Sequence, residues 1–164
     1  LPAESPFDAV IFAGDPAFAL RTAPLLAYYD VGPDRALFLG NALWNQDQLL
    51  NEPSLQGGVF AIRPSQFDTK FNSSWQAIWQ QTPGDLSRLG FDALALVAAL
   101  SGTGDGQTLT PAGQWAQKLV TNTGFQGYSG AFRLLPDGSN VRAYEVRQIR
   151  NGKSKIIQPA PDKI

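Results

Sequence analysis

Apolar positions fall into short unbroken runs separated by stretches with a helical repeat. Ala9-Val10-Ile11-Phe12-Ala13 is continuous, closed by Gly14-Asp15-Pro16, and predicts a strand buried on both faces, as in a parallel sheet under helices. Asp15 before Pro16 reads as an N-cap with proline at the first helical position. The helix it opens is expected to bury Phe18, Leu25, Leu26 and Tyr29, and Pro24 within it to kink or shorten it. Ala36-Leu37-Phe38-Leu39 predicts a second buried strand, completing a βαβ unit.

A polar, irregular segment from Asn41 to Gly58 precedes a third strand, Val59-Phe60-Ala61-Ile62, stopped by Arg63-Pro64. Phe67, Phe71, Trp75, Ile78 and Trp79 then give the clearest helical repeat in the chain, with Ser65 as its expected cap. A second long helix opens at Asp85 and is apolar nearly all round through Leu100, so it demands cover on more than one side. Gly102 to Gly106 reads as a loop, and Thr110-Pro111 as the cap of a short helix through Trp115, Leu119 and Val120. The remainder predicts β structure: Ala131 to Leu134, a Pro136-Asp137-Gly138 turn, Val141 to Ile149, an Asn151-Gly152 hairpin turn, and Lys153 to Ile157. This order predicts an α/β fold, a mostly parallel sheet with flanking helices and a C-terminal β-hairpin region.

Composition narrows the chemistry. The 164 residues hold no Cys and no His, which removes thiol nucleophiles, the common metal ligands and any serine triad built on histidine. No cofactor, metal site or catalytic residue is predicted. The chain also lacks Met and begins in a Pro-containing stretch, and is read as an internal or processed piece of a longer protein. No apolar run approaches the roughly 20 residues of a spanning helix. Residues from Arg133 onward carry seven basic and three acidic side chains, too sparse and too poor in aromatics for a nucleic-acid surface.

In an open α/β sheet, ligands settle beyond the carboxyl ends of the strands. That rule selects Asp15, Asn41, Trp44 and Arg63 as candidate ligand-binding residues. Each also has a structural alternative: helix cap, turn former, loop cover and solvated strand end, in that order. Enzyme readings find less. Asp68 and Asp92 have no evident partner carboxylate, Gly102-Thr103-Gly104-Asp105-Gly106 lacks the lysine of a phosphate loop, and Ser129 has no histidine to activate it. An unrecognised hydrolase is the remote alternative.

Taken in order, these segments resemble the type I periplasmic binding protein superfamily, the group of the branched-chain amino-acid binding proteins. Phe7 to Asp15 is similar to the family's strand into the loop of its second lobe, and Ala23 to Tyr29 to the helix that follows. Gly90-Phe91-Asp92-Ala93 resembles the family's Tyr-Asp-Ala helix start, and Phe125-Gln126-Gly127-Tyr128-Ser129-Gly130 its closing segment. Leu43-Trp44-Asn45 and Leu55-Gln56-Gly57-Gly58 look most like the penicillin-binding protein activators, envelope lipoproteins that regulate peptidoglycan synthesis.

The resemblance implies a two-lobed, non-enzymatic protein that hinges shut on its ligand, of which residues 1–164 form the C-terminal portion. Residues 9–82 and 130–157 are then expected in the second lobe, and the helices of 83–129 on the first. It implies a periplasmic setting, with a lipid anchor on the full-length protein. The partner is a small-molecule ligand or an envelope protein, a peptidoglycan synthase or a permease. Two functions follow, cell-wall regulation and, as the alternative, solute capture for an ABC transporter. Amino-acid-binding members carry an acidic residue just after the strand that here ends at Gly40, to hold the ligand's ammonium. Asn41-Ala42-Leu43 stands there instead, which counts against amino-acid binding because an ammonium buried without a carboxylate is costly. The exposed apolar helix at 86–100 is further expected to make the chain dimerise or swap segments.

Overall fold

The computed structural model describes residues 7–101 and 114–164, and the chain divides into two compact units. One comprises residues up to Ile62 together with Glu145–Pro159; the other comprises Arg63–Tyr144 and Ala160–Ile164. The Gly102–Gly106 loop and the Thr110-Pro111 cap expected from the sequence lie outside the described residues.

The first unit is built on a five-stranded sheet. Strands β1 (Ala9–Ile11), β2 (Leu37–Gly40) and β3 (Val59–Ile62) are parallel neighbours, joined by α1 (Pro16–Tyr28) and by a segment of short helical turns. β7 (Glu145–Arg150) returns antiparallel beside β3, and β8 (Lys153–Gln158) pairs with β7, giving the order β1-β2-β3-β7-β8. The hairpin between β7 and β8 turns on Asn151 and Gly152, whose φ values of 52° and 71° put both in the left-handed region that a two-residue hairpin loop requires.

Several sequence expectations change here. β1 is an edge strand among the described residues, and Ile11 is 73% exposed where burial on both faces is expected. α1 runs through Pro24, and it buries Ala19 and Ala23 while Phe18, Leu25 and Tyr29 stay exposed. The small side chains win the sheet face because they let the helix backbone approach closely. The segment 41–58 is not irregular: it holds a 3₁₀ turn at Ala42–Trp44, α2 (Asp47–Leu50) and a second 3₁₀ turn at Pro53–Leu55. Each turn exists because it buries a hydrophobe, Trp44, Leu49 and Leu55 all reaching the core.

The core of this unit centres on Trp44, which is 1% exposed. Its ring lies 5.5 Å from that of Phe12 and 6.4 Å from that of Phe60, and Phe12 in turn packs on Phe38 at 5.1 Å. Gly40 makes room for it, since a Cβ there would fall 2.1 Å from the indole.

The second unit contains α3 (Asp68–Trp79), α4 (Asp85–Ser101), α5 (Trp115–Leu119) and a three-stranded antiparallel sheet of β4 (Phe125–Gly127), β5 (Gly130–Leu134) and β6 (Asn140–Arg142). Phe67, not Ser65, occupies the cap position of α3, and the Ser65 carbonyl accepts from Asp68 N–H at 2.9 Å. The strand expected over Val141–Ile149 is two strands, broken at Ala143-Tyr144 where the chain passes from one unit to the other. In the β5–β6 turn, the Ser139 hydroxyl and backbone N–H bond Asp137 and hold its carboxyl below the usual carboxylate range.

α4 is inverted relative to an ordinary surface helix. Its buried side chains are Arg88 and Asp92, four residues apart, whereas Leu86, Phe91, Leu94 and Val97 are exposed, Leu94 by 73%. Arg88 reaches Asn72 Oδ1 at 2.5 Å and Asp68 at 3.3 Å, with its guanidinium 4.9 Å from the Phe71 ring centre.

Trp44→Ala is expected to cost about 3–5 kcal/mol, the range for emptying a large buried aromatic site. Gly40→Ala is expected to destabilise as well, since backbone and indole would compete for one volume. Urea unfolding followed by tryptophan-independent circular dichroism checks both.

Candidate functional site

The loops that end β1 and β2 meet at one hydrogen-bonded junction. Asp15 caps α1, its Oδ1 accepting from Phe18 N–H at 2.7 Å, and the Phe18 ring folds over Gly14. Asn41 works in two directions. Its Oδ1 accepts from Leu43 N–H at 2.9 Å, starting the 3₁₀ turn, and its Nδ2 donates to the Gly14 carbonyl at 3.1 Å. Both strand tips are thereby fixed by one side chain, with Leu43 exposed on the turn and Trp44 locked beneath it.

Three of the four residues selected from the sequence therefore cluster here, and each has structural work. Asp15 and Asn41 keep partly or fully exposed surface. Trp44 does not: its ring is buried in the core, the loop-covering place that is its structural alternative. Arg63 lies in the other unit, where Nη1 and Nη2 reach both oxygens of Asp68 at 2.5 and 3.3 Å. A guanidinium spent on a two-point carboxylate pair is not a vacant anion holder. Leu43 was the tip residue with no chemical signal in the sequence; only its exposure on a fixed turn marks it.

The second unit carries a constellation that sequence spacing did not connect. Asp92, 6% exposed, accepts from the backbone N–H groups of Tyr128 at 2.7 Å and Ser129 at 2.8 Å, and from the Ser129 hydroxyl. Ser129 Oγ in turn accepts from Arg142 Nη1 at 3.1 Å. Gly127 is required beside it, because a Cβ would lie 2.4 Å from the Asp92 carboxylate. The clasp forms part of the wall of an open pocket of about 470 Å³ lined also by Phe67, Phe91 and Phe132, with Lys70 as its cationic member. The Tyr128 ring packs against Phe71 at 5.2 Å and Phe91 at 5.3 Å. These groups make the hollow largely apolar-walled. Among the described residues no cluster of His, Cys, Asp and Glu is able to hold a metal ion.

No family model matches the sequence, and no curated protein matches it. Solved structures do. A putative branched-chain amino acid ABC transporter protein from Rhodospirillum rubrum superposes with a TM-score of 0.73 at 16% identity, over 92% of this chain and 44% of that one. A leucine-binding protein from Thermotoga maritima gives 0.60 at 17% identity, over 94% and 45%. A solute-binding protein of an R. palustris ABC transporter, in complex with benzoate, gives 0.55 at 21% identity, over 94% and 44%. The fold is thus that of the type I periplasmic binding proteins, and the chain spans a little under half the length of these structures. No helix among the described residues is long and apolar enough to cross a membrane.

Asp92→Ala is expected to destabilise the chain by about 2–3 kcal/mol, because it strands the buried N–H and hydroxyl of Ser129 and the half-buried N–H of Tyr128. Ser129→Ala is expected to cost less, since both backbone bonds survive. Hydrogen exchange should report the difference directly, with fast exchange of the Tyr128 and Ser129 amides in Asp92→Ala only.

Proposed function

We propose that the chain is part of a non-enzymatic solute-binding protein serving an ABC transporter. The observation that carries this is the superposition on solute-binding proteins over more than nine-tenths of the chain. In this reading the first unit is the core of the second lobe. The second unit, with the apolar side of α4, belongs to the first lobe, and its cavity is packing surface for the remainder of that lobe. The setting is the cell envelope.

The ligand-facing surface in this reading is the tip junction of the first unit. Asp15 and Asn41 position the two loops and Leu43 offers the contact. Asn41 is the discriminating residue: its amide replaces the carboxylate that an amino acid's ammonium needs, and Asp15 is committed to capping α1. The preferred ligand class is therefore a small solute without an ammonium group. Benzoate, the ligand of one similar structure, is the natural first probe.

The same departure at Asn41 favours a second reading, the penicillin-binding protein activator type, in which an anchored lipoprotein binds a peptidoglycan synthase. The similar structures are transport proteins, so solute capture ranks first.

Thermal unfolding with a ligand panel separates these. A ligand at a hundredfold excess over its Kd adds about 2.7 kcal/mol, several degrees in Tm. Benzoate and related carboxylates are expected to raise Tm, and leucine and isoleucine to leave it unchanged. A rise with the amino acids alone would overturn the ligand class. A flat panel with capture of a peptidoglycan synthase would move the function to the second reading.

A further inference from the structure

The β7–β8 hairpin carries a reactive pair of residues that its fold restrains. Asn151 is the one asparagine in the sequence that glycine follows. In such a pair the glycine nitrogen, with no side chain beside it, can close on the asparagine Cγ. The N–Cγ bond forms, the Cγ–Nδ2 bond breaks, and Nδ2 leaves as ammonia with the proton that the glycine nitrogen gives up. Water then opens the cyclic imide at either carbonyl. The product is aspartate, or isoaspartate, whose main chain runs through the former side-chain carbon. No reactant other than water is needed.

Ring closure demands a particular backbone. The Gly152 nitrogen must eclipse the Asn151 Cβ, which requires ψ of about −120° at Asn151; at positive φ that is the first central position of a type II′ turn. Here Arg150 pairs with Lys153 across a two-residue loop, and φ is 52° at Asn151 and 71° at Gly152. Positive φ at both positions defines type I′, whose first ψ of about 30° turns the nitrogen about 150° away from Cβ. Asn151 thus has the φ of the reactive form and is kept from it by the orientation of one peptide group.

That peptide is latched. Its N–H donates to Gln56 Oε1 at 3.4 Å, and Gln56 is aimed by its own amide, which donates to Leu50 O at 2.8 Å and Glu52 O at 3.0 Å. Asn51 Oδ1 closes on the same glycine, 2.6 Å from where a Cβ would stand.

We propose that Asn151 is a deamidation site that the type I′ turn and Gln56 hold shut, and that its conversion to isoaspartate releases β8. Aspartate at this position leaves the turn intact, since Asp-Gly suits type I′ as Asn-Gly does. Isoaspartate adds a main-chain atom to a loop whose register admits two residues. Lys153 then no longer meets Arg150, and Ser154 is drawn off Arg147 and Asn45, which it contacts at 3.0 and 2.9 Å.

Timed incubation of the 164-residue chain at mildly alkaline pH, folded and in urea, tests this, with peptide mass analysis and isoaspartate-specific methylation as the readouts. Conversion at Asn151 is expected in both, slower in the folded chain by roughly tenfold or more because it waits on local opening. Gln56→Ala is expected to speed it in the folded chain and to leave the rate in urea unchanged. In the isoaspartate product the β8 amides that pair with β7 are expected to exchange fast, and in the aspartate product to stay protected. Equal rates folded and in urea would overturn the proposal, as would no conversion in urea or a folded rate untouched by Gln56→Ala. Slow β8 amides in the isoaspartate product would overturn the release.

Discussion

The indole of Trp44 stacked on Gly40 is the contact on which the first unit depends. Strand β2 ends there, and a side chain at residue 40 would claim the same volume as the ring. Because the ring also packs near Phe12 just after β1 and Phe60 in β3, one side chain links all three parallel strands. Gly58 extends the arrangement: its Cβ would come within 2.9 Å of the indole. With the ring fixed, the 3₁₀ turn that carries it is fixed, and Asn41 at the start of that turn comes within reach of Gly14. The junction offered to solvent is thus an outgrowth of core packing, which gives it stiffness at little entropic cost on binding.

The second unit uses polar chemistry where the first uses stacking. Asp92 and Arg88 turn inward from α4, each meeting several donors or acceptors, and the helix's apolar residues are left outside. A buried charge broken from its partners costs far more than it contributes when intact, so such a clasp specifies one arrangement more than it adds stability. It fixes the 127–130 loop against α4, and with it the Tyr128 ring among Phe67, Phe71 and Phe91. An apolar helix side of this extent facing water is a poor end state for a domain.

Periodicity and turn chemistry made most elements legible: α3, α4, the three parallel strands and the Asn151-Gly152 hairpin all stand where the pattern puts them. The failures share a cause, namely that the deciding partner is distant in sequence. β4 is three residues with a glycine and exists through its pairing with β5. The turns of 42–55 have no helical length of their own and form to bury Trp44, Leu49 and Leu55. No glycine or proline marks the break at Tyr144, which follows from the two flanking stretches joining different sheets. At the site, the Asp15 cap was readable because it acts three residues away. The reach of Asn41 across 27 residues was not, nor that of Asp92 across 36. The burial of Trp44 had one local sign, the glycines at 40 and 58 that clear space for a ring.

The distinction between holding a molecule and transforming it rests on where the polar atoms are spent. Ser129 and Asp92 are the pair most like a nucleophile and its base, yet both are buried, and the hydroxyl is bonded to the carboxylate on one side and to Arg142 on the other. An attacking oxygen must face its substrate, with its base free to take the proton and donors waiting for developing charge. Here the carboxylate is occupied by backbone donors that belong to the loop, so moving its partners would undo the fold of that loop. At the strand tips the polar atoms are likewise committed, to a helix end and to a neighbouring carbonyl. What the strand tips present to solvent is shape, the exposed side chain of Leu43 and loops tied together by hydrogen bonds.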